Sequence, residues 1–503
     1  MSVVILGAAR TAIGRYGGTL RQTHPADLGA RAAKAALDRA GIQPEDVDEA
    51  LFGHGRQAGS GPNPARQVCQ RAGLPFTVPA QTINQACASG MQTVALGAQA
   101  ILLGQSRIVL AGGIESMSRM PYLVDAEDAR WGHKMGNFTL VDAMYRDGFR
   151  CSLSGLIMGE TAEILARQYG ITREESDAFA LASQHKAEAA IAAGRFKDEM
   201  TPAPGNDLRG KPVELEVDEH PRPGATIEGL RKLPLVFPNV EGHSGIITAG
   251  SSSGITDGGA AVVLAHADEA KRRGLTPLAR IVGWATAGVD PRIMGIGPVP
   301  AVHRLLAQTG LTMDDFDLVE LNEAFAAQVL AVLKGLPIPA ERLNVNGGAI
   351  ALGHPIGATG TRIIVTLLYE MIRRGARRGL ATLCVSGGLG MAIALERGDG
   401  CRSVENSRRS IASSSLGVFN RSRPVPLKSN QPAPRPPPPD PSGRPGALDD
   451  PARLKLPDDR RTNQRDRFEE VHAAGEGRQL DRSRGGRDGA GPRRREHHRR
   501  EHG

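Results

Sequence analysis

The 503-residue sequence has little of what marks a membrane, secreted or metal-binding protein. It contains no run of 18 apolar residues, which excludes an ordinary membrane-spanning helix. Its five cysteines are odd in number, widely spaced and without a CxxC pair, so neither a disulfide framework nor a zinc site is expected. The apolar stretch at residues 3–6 is too short for a signal peptide. We therefore expect reduced thiols, a cytoplasmic location and no metal.

Basic charge is confined to one end of the chain. Residues 1–396 hold 38 Lys and Arg against 39 Asp and Glu, whereas residues 397–503 hold 24 against 15. The body is therefore close to neutral. Residues 397–503 are rich in proline and arginine and almost without apolar periodicity, so we expect a disordered tail from about Arg397. Its abrupt start also suggests a frameshift or read-through product as an alternative to a genuine segment.

The body contains an internal repeat. Residues 28–53 and 301–322 each read as a helix, a glycine stop, an acidic turn and a strand. Residues 108–113 and 383–388 share a second pattern, an apolar strand running into a Gly-Gly turn, at nearly the same offset. Two repeated patterns in the same order predict a duplicated α/β unit, with the strands at 108–113 and 383–388 side by side. The stretch 118–247 has no counterpart and is expected to be an insertion over the site.

Four positions carry side chains suited to catalysis. Cys87 follows a strand pattern and precedes a small-residue helix, whose N-terminus favours the nucleophilic thiolate. His354 lies in a glycine-rich segment and is a candidate base for a thiol. Cys384 and Asn322 each end an apolar strand, where polar side chains of α/β folds often meet a ligand. Taken singly, each of these residues also fits an ordinary core or loop role.

Taken together, these residues resemble the thiolase family over about residues 2–396. The resemblance is carried by Cys87-Ala88-Ser89-Gly90, Asn322-Glu323-Ala324-Phe325, Gly353-His354-Pro355 and the segment around Cys384. It implies an α/β, five-layered αβαβα fold built from two similar halves, with an inserted loop domain, in a homodimer or homotetramer. The implied domains are an N-terminal half (1–117 with about 248–268), the loop domain (118–247), a C-terminal half (269–396) and the tail (397–503).

The resemblance also implies a division of roles. Cys87 is the nucleophile that takes up the acyl group, and His354 activates it. His354 and a water held by Asn322 form one oxyanion hole, and the backbone N–H groups of Cys87 and Ser386 form a second. Cys384 is the acid or base toward the substrate carbon. Coenzyme A is a substrate rather than a cofactor, and the residues expected to line its tunnel or bind it are Met158, Arg222, Lys232, Phe237, Ser253, Ala324 and Phe325.

The implied activity is thiolysis of 3-ketoacyl-CoA and the reverse Claisen condensation of two acyl-CoAs, in fatty acid metabolism such as β-oxidation. Two departures from the family pattern matter. Ser386 stands where glycine is usual, so its backbone must reach the same angles. Ile157 stands where short-chain biosynthetic members often have histidine, which leaves acyl-chain length open. We favour acetoacetyl-CoA and other short 3-ketoacyl-CoAs as substrates.

Two alternatives remain. A condensing enzyme of the ketoacyl synthase type also has a cysteine nucleophile and a duplicated fold, but Cys384 and the Asn322-Glu323 pair argue against it. A non-enzymatic protein could bind nucleic acid through the basic tail. Salt-sensitive DNA binding that is lost on truncation near residue 397 would favour that second reading. We expect neither nucleic acid nor a membrane as partner of the main function.

Overall fold

The computed structural model describes residues 2–398 and Cys401, so the predicted tail lies, beyond its first residues, outside the described residues. Strands β1 to β17 are, in chain order, Val3–Thr11, Gly14–Arg15, Glu49–His54, Ala80–Ile83, Ile108–Ser116, Tyr122–Leu123, Val141–Asp142, Met200–Thr201, Ala203–Asn206, Pro212–Leu215, Asn239–Val240, His243–Ser244, Thr256–His266, Ala279–Gly288, Leu318–Leu321, Arg378–Val385 and Leu389–Glu396. Helices α1 to α11 are Pro25–Ala40, Pro64–Ala72, Ser89–Leu102, Met158–Tyr169, Arg173–Ala192, Ile227–Arg231, Ala267–Arg272, Pro298–Thr309, Ala326–Gly335, Ala349–Leu352 and Ile356–Arg374.

The N-terminal half contributes five strands to the main sheet, in the order β1-β13-β5-β3-β4. β5 pairs parallel with β3 and antiparallel with β13, and β13 pairs antiparallel with β1. Every residue of β1 and β5 is buried, as expected for strands covered by helices on both faces. α1 begins at Pro25 and stops at Gly41, whose φ of 69° is the left-handed conformation that ends a helix.

The C-terminal half repeats this arrangement as β14-β17-β16-β15. β16 pairs parallel with β15 and antiparallel with β17, which pairs antiparallel with β14. These directions match those of the first half, so the predicted duplication is confirmed. The halves meet where β1 pairs with β14 over two positions. β16 and β5 are not neighbours: each occupies the equivalent place in its own half, so the expectation that these two strands run side by side is wrong.

Three hydrophobic clusters define five layers. One packs α1 and α2 on one side of the N-terminal sheet and includes Phe52. Another packs α8 and α9 on the C-terminal sheet and includes Leu305. The third lies between the sheets and includes residues of α3 and α11. A Cβ on Gly90 of α3 would lie 2.6 Å from Oγ1 of Thr361 on α11, so glycine allows these helices to touch. The result is the αβαβα order that the resemblance implies.

The segment between β5 and β13 carries α4, α5, α6 and the short strand pairs β6-β7, β9-β10 and β11-β12. α4 packs on α9, and α5 packs on α9 and α10. β8 of the same segment pairs with β1, so the segment contacts both halves, beside the chain regions that carry Asn322 and His354. Within the described residues, no helix combines the length and apolar character needed to cross a membrane.

Candidate active site

A cavity of about 900 Å³ brings most of the predicted catalytic residues together. Its wall includes Cys87 from the start of α3, His354 from the turn before α11, and Cys384 and Ser386 from the end of β16. Two thiols and an imidazole from three separate segments thus face one space. A second groove of about 970 Å³ runs along α1 and contains none of the predicted catalytic residues.

Cys87 is presented by a strained turn. Ala86, the residue before it, has a φ of 44°, which costs an L-residue about 1 kcal/mol. Its N–H donates to Oδ1 of Asn84 at 2.9 Å, and its carbonyl accepts from the Ser89 hydroxyl at 2.6 Å. The same hydroxyl accepts from the N–H of Gln85 at 2.9 Å. These bonds hold the turn, so that Cys87 stands half-buried immediately before α3.

The surroundings of Cys87 favour the neutral thiol over the thiolate. Burial raises its pKa above the ordinary value, although the Arg56 guanidinium and the backbone N–H groups of Ser386 and Cys87 act in the opposite direction. The sequence predicts that the helix N-terminus favours the thiolate, and the N–H groups of Cys87 and Ser386 do act in that direction, but burial acts against them more strongly. A base is therefore needed to ionise Cys87.

His354 is a buried neutral imidazole. Burial lowers its pKa to about 3, and the charges of Arg362 and Arg56 act in the same direction. Its Nδ1 lies 2.6 Å from Oγ1 of Thr359, and that hydroxyl also lies 3.0 Å from the Pro355 carbonyl oxygen. Nε2 has no hydrogen-bond partner among the described residues. The unpartnered ring nitrogen belongs to a side chain in the wall that also contains Cys87.

Cys384 lies at the end of β16 and is 1 % exposed. Burial raises the pKa of this thiol far above its ordinary value, and the neighbouring Cys87 adds to the effect. In the turn that follows, the left-handed angles fall on Gly387 (φ 89°) and Gly388 (φ 86°), and Ser386 has none. Serine is therefore accommodated without backbone strain where the family usually has glycine, and its N–H faces the Cys87 sulfur.

Asn322 lies directly after β15, is 1 % exposed and is not part of the cavity wall. Neither its Oδ1 nor its Nδ2 has a partner within the described residues. Asn344 fixes the backbone before it, because its side chain accepts from Leu321 N at 2.9 Å and donates to Leu321 O at 2.8 Å. The Asn344 amide also donates to Oε1 of Glu323 at 2.8 Å. The Asn322 side chain thus follows a firmly held backbone and has both ends of its amide unpartnered, which suits it to binding an ordered water.

Six of the seven residues expected around coenzyme A line the same cavity: Met158, Arg222, Phe237, Ser253, Ala324 and Phe325. Lys232 does not, because it lies exposed at the C-terminal end of α6. The N–H of Ser253 donates to the Ala324 carbonyl at 2.9 Å, which joins two of these segments. Six further wall residues carry no recognisable sequence pattern because they come from a two-residue strand, a helical turn and loops: Arg15, Tyr16, Arg56, Tyr145, Phe149 and His220.

Profiles of known domain families match nearly all of the described chain. The profile of the thiolase N-terminal domain matches residues 3–268, and that of the thiolase C-terminal domain matches residues 275–397. Among curated proteins, the acetyl-CoA acetyltransferase of Chromobacterium violaceum is 51 % identical over 397 residues, which are 79 % of this chain and all of that protein. The acetyl-CoA acetyltransferase of Escherichia coli is 50 % identical, covering 78 % of this chain and 98 % of its own.

Solved structures give the same picture. Human mitochondrial 3-ketoacyl-CoA thiolase is 44 % identical with a TM-score of 0.75, and the match covers 79 % of this chain and 99 % of the human one. The same human enzyme in complex with CoA matches with a TM-score of 0.74 at 44 % identity, over 79 % of this chain and 98 % of its own.

Proposed function

The chain belongs to the thiolase family, and on that premise we propose that its cavity cleaves short 3-ketoacyl-CoAs with coenzyme A and catalyses the reverse condensation. The enzyme class is that of the acetyl-CoA acetyltransferases and 3-ketoacyl-CoA thiolases that it resembles. The observation that carries the proposal is the meeting of two thiols and an unpartnered imidazole nitrogen in one cavity. Both the ketoacyl synthase and the nucleic-acid alternatives are less favoured.

The first half-reaction transfers the acyl group to Cys87. Nε2 of His354 takes the thiol proton, and the sulfur attacks the 3-keto carbon of the substrate. The bond between carbons 2 and 3 then breaks, and its electron pair forms the enolate of acetyl-CoA. Cys384 donates its proton to the enolate carbon, so acetyl-CoA leaves and Cys87 remains acylated. A thiol whose pKa is raised is a suitable proton source for so basic a carbon.

The second half-reaction restores the enzyme. The Cys384 thiolate takes the proton of incoming coenzyme A, whose sulfur attacks the acyl carbonyl. When the tetrahedral adduct collapses, Cys87 leaves and recovers its proton from His354. We propose that the N–H groups of Cys87 and Ser386 stabilise the oxyanion of one thioester, and that His354 with a water on Asn322 stabilises the other. Every step is proton or acyl transfer, so the proposed reaction uses coenzyme A as substrate and needs neither a cofactor nor a metal.

We propose that Thr359 fixes which nitrogen of His354 is basic. A carbonyl oxygen can only accept, so the Thr359 hydroxyl donates its one proton to Pro355 O and accepts from Nδ1–H. Nε2 is then left with a lone pair for the Cys87 proton. In Thr359→Val we expect kcat to fall about tenfold or more with little change in KM, because Nδ1–H loses its acceptor.

Thr359→Ser is the matched control, since it keeps the hydroxyl and should restore kcat. Nitrogen-15 NMR of the histidine rings gives a second readout, because wild type and Thr359→Ser should show the Nδ1–H tautomer. Wild-type kcat in Thr359→Val, together with an unchanged tautomer, would contradict this role.

A second prediction concerns the mouth of the cavity. Arg222 is exposed and lines the cavity, where its guanidinium can meet the phosphates of coenzyme A. We expect Arg222→Ala to raise the KM for coenzyme A about tenfold or more at nearly constant kcat. Lys232→Ala should raise it less, because Lys232 lies off the cavity wall. Steady-state kinetics on both variants test this, and a larger effect of Lys232→Ala would reverse the assignment.

The finer features of the proposal are assembly, pathway and location. Apolar side chains are exposed between residues 122 and 145, namely Tyr122, Trp131, Met135, Phe138, Leu140 and Tyr145. Strand β4 also ends the main sheet with one edge unpaired among the described residues. Both features favour association with further copies, so we propose a homodimer or homotetramer, which light scattering can distinguish.

We also propose a role in fatty acid β-oxidation and a cytoplasmic location. The five free cysteines suit the cytoplasmic location, where thiols stay reduced.

A further inference from the structure

Arg56 is a buried cation in the cavity wall, and the mechanism proposed above gives it no role. It is 7 % exposed and lines the same cavity as Cys87. Its Nη1 donates to Gly55 O at 3.3 Å, and its Nη2 donates to Gly148 O at 2.8 Å. Nε has no hydrogen-bond partner among the described residues. The guanidinium is therefore held in place by carbonyls, with donor capacity left over.

The ion pairs formed within the described residues do not include Arg56. Glu115 accepts from the backbone N–H of Arg56 at 3.2 Å, and, despite burial, the nearby His54 and then the Arg56 charge hold the pKa of this carboxyl below its ordinary value. Its oxygens also accept from Gly55 N at 3.1 Å and Gly357 N at 2.8 Å, and His54 Nε2 lies 3.1 Å away. Glu115 is thus engaged in holding the start of α11. Arg56 therefore lies within the field of Glu115 but makes no contact ion pair with it, and its unpartnered N–H makes an anionic acceptor supplied by the ligand favourable.

The position of Arg56 shows which part of the ligand it meets. Cys87 packs against an apolar cluster formed by Met117, Met144, Phe149, Ile255 and Ile356. The Gly148 carbonyl that holds Arg56 belongs to the residue before Phe149 in this cluster. The charge of Arg56 also acts on both Cys87 and His354, so the guanidinium lies close to the sulfur that would carry the acyl group. Arg56 therefore stands on the side of the cavity that receives the acyl group on Cys87.

We propose that Arg56 selects acyl groups that end in a carboxylate, so that the preferred substrates are coenzyme A thioesters of 3-oxo-dicarboxylic acids. This inference rests on the thiolase activity proposed above. A terminal carboxylate gives the guanidinium a charged acceptor, whereas an alkyl chain of equal length removes water from it and supplies none. A site built to bind a polar group rejects the analogue that lacks it, because the donor of the protein is left unpaired.

The test compares 3-oxoadipyl-CoA with 3-oxohexanoyl-CoA, which have chains of equal length and differ in a terminal carboxylate or methyl group. For the wild-type full-length chain we expect kcat/KM to be about tenfold or more higher for 3-oxoadipyl-CoA. In Arg56→Met, a side chain of similar length without charge, the preference should reverse. Because each ratio is taken within one variant, a general loss of activity cancels.

Two results would overturn the inference: equal or reversed preference in the wild type, or the wild-type ratio in Arg56→Met. If Arg56→Met does not fold, the wild-type ratio still decides. Failure of the proposed function is distinguishable, because a protein that cleaves neither 3-oxohexanoyl-CoA nor acetoacetyl-CoA with coenzyme A would not be an active thiolase. Cleavage of both without a preference for the carboxylate would leave the thiolase intact and remove the role of Arg56.

Discussion

Replacement of Cys87 by alanine is expected to lower kcat for the CoA-dependent cleavage of acetoacetyl-CoA by about 10⁴-fold or more, as loss of a covalent nucleophile does. The reason is that both half-reactions pass through an acyl group on this sulfur, and no other described thiol shares the wall with His354 except Cys384. The measurement is the loss of acetoacetyl-CoA in the presence of coenzyme A. Intact-mass spectrometry after incubation with acetyl-CoA should show one acetyl group on the wild type and none on the variant.

Cys69→Ala is the matched control. Cys69 is fully buried in the apolar cluster between α2 and the N-terminal sheet, and it lines none of the cavity. Its loss removes a small core side chain and should leave acetylation in place. Full thiolysis by Cys87→Ala, or an acetyl group that stays on that variant, would disprove the proposed nucleophile.

The sequence was sufficient to predict the duplication and the shared catalytic space. A repeat of helix, turn and strand predicts equivalent strand ends, and the structure places Cys384 at one such end. The prediction that β16 lies beside β5 is wrong because the repeat relates equivalent positions in two halves, not neighbours in one sheet. Cys384 instead reaches Cys87 because the turn at residues 86–88 packs against β16.

The ionisation of the site could not be read from the sequence. A cysteine at a helix start predicts a thiolate, but the balance between burial and nearby charges depends on distances in three dimensions. Here burial raises the pKa of Cys87 and lowers that of His354, so both shifts favour the neutral form. Arg56 illustrates the same limit, because nothing in the loop after β3 indicates that its guanidinium bonds to Gly148, 92 residues away. For Ser386, the sequence raised a question about backbone angles that the structure answers. The left-handed angles lie on the two glycines that follow it, so serine is accommodated.

Replacement of Cys384 by alanine should impair the cleavage and formation of the carbon–carbon bond much more than thioester exchange. We expect kcat for cleavage and condensation to fall by about 10²- to 10⁴-fold, which is the usual contribution of a positioned acid or base. Exchange of labelled coenzyme A into acetyl-CoA should fall much less. Without Cys384, coenzyme A can still lose its thiol proton to solvent and exchange through Cys87. A leaving thiolate is stable without a strong acid, whereas an enolate carbon is not.

The distinguishing measurement is deuterium uptake into the methyl group of acetyl-CoA. The wild type should catalyse it, because the acid that protonates the enolate is also the base that forms it. Cys384→Ala should lose it while keeping coenzyme A exchange, and Cys87→Ala should lose the exchange. If Cys384→Ala kept wild-type deuterium uptake, the carbon acid–base would have to be another wall residue, with His354 and His220 as candidates. If it lost both activities equally, Cys384 would act mainly by shaping the site around Cys87.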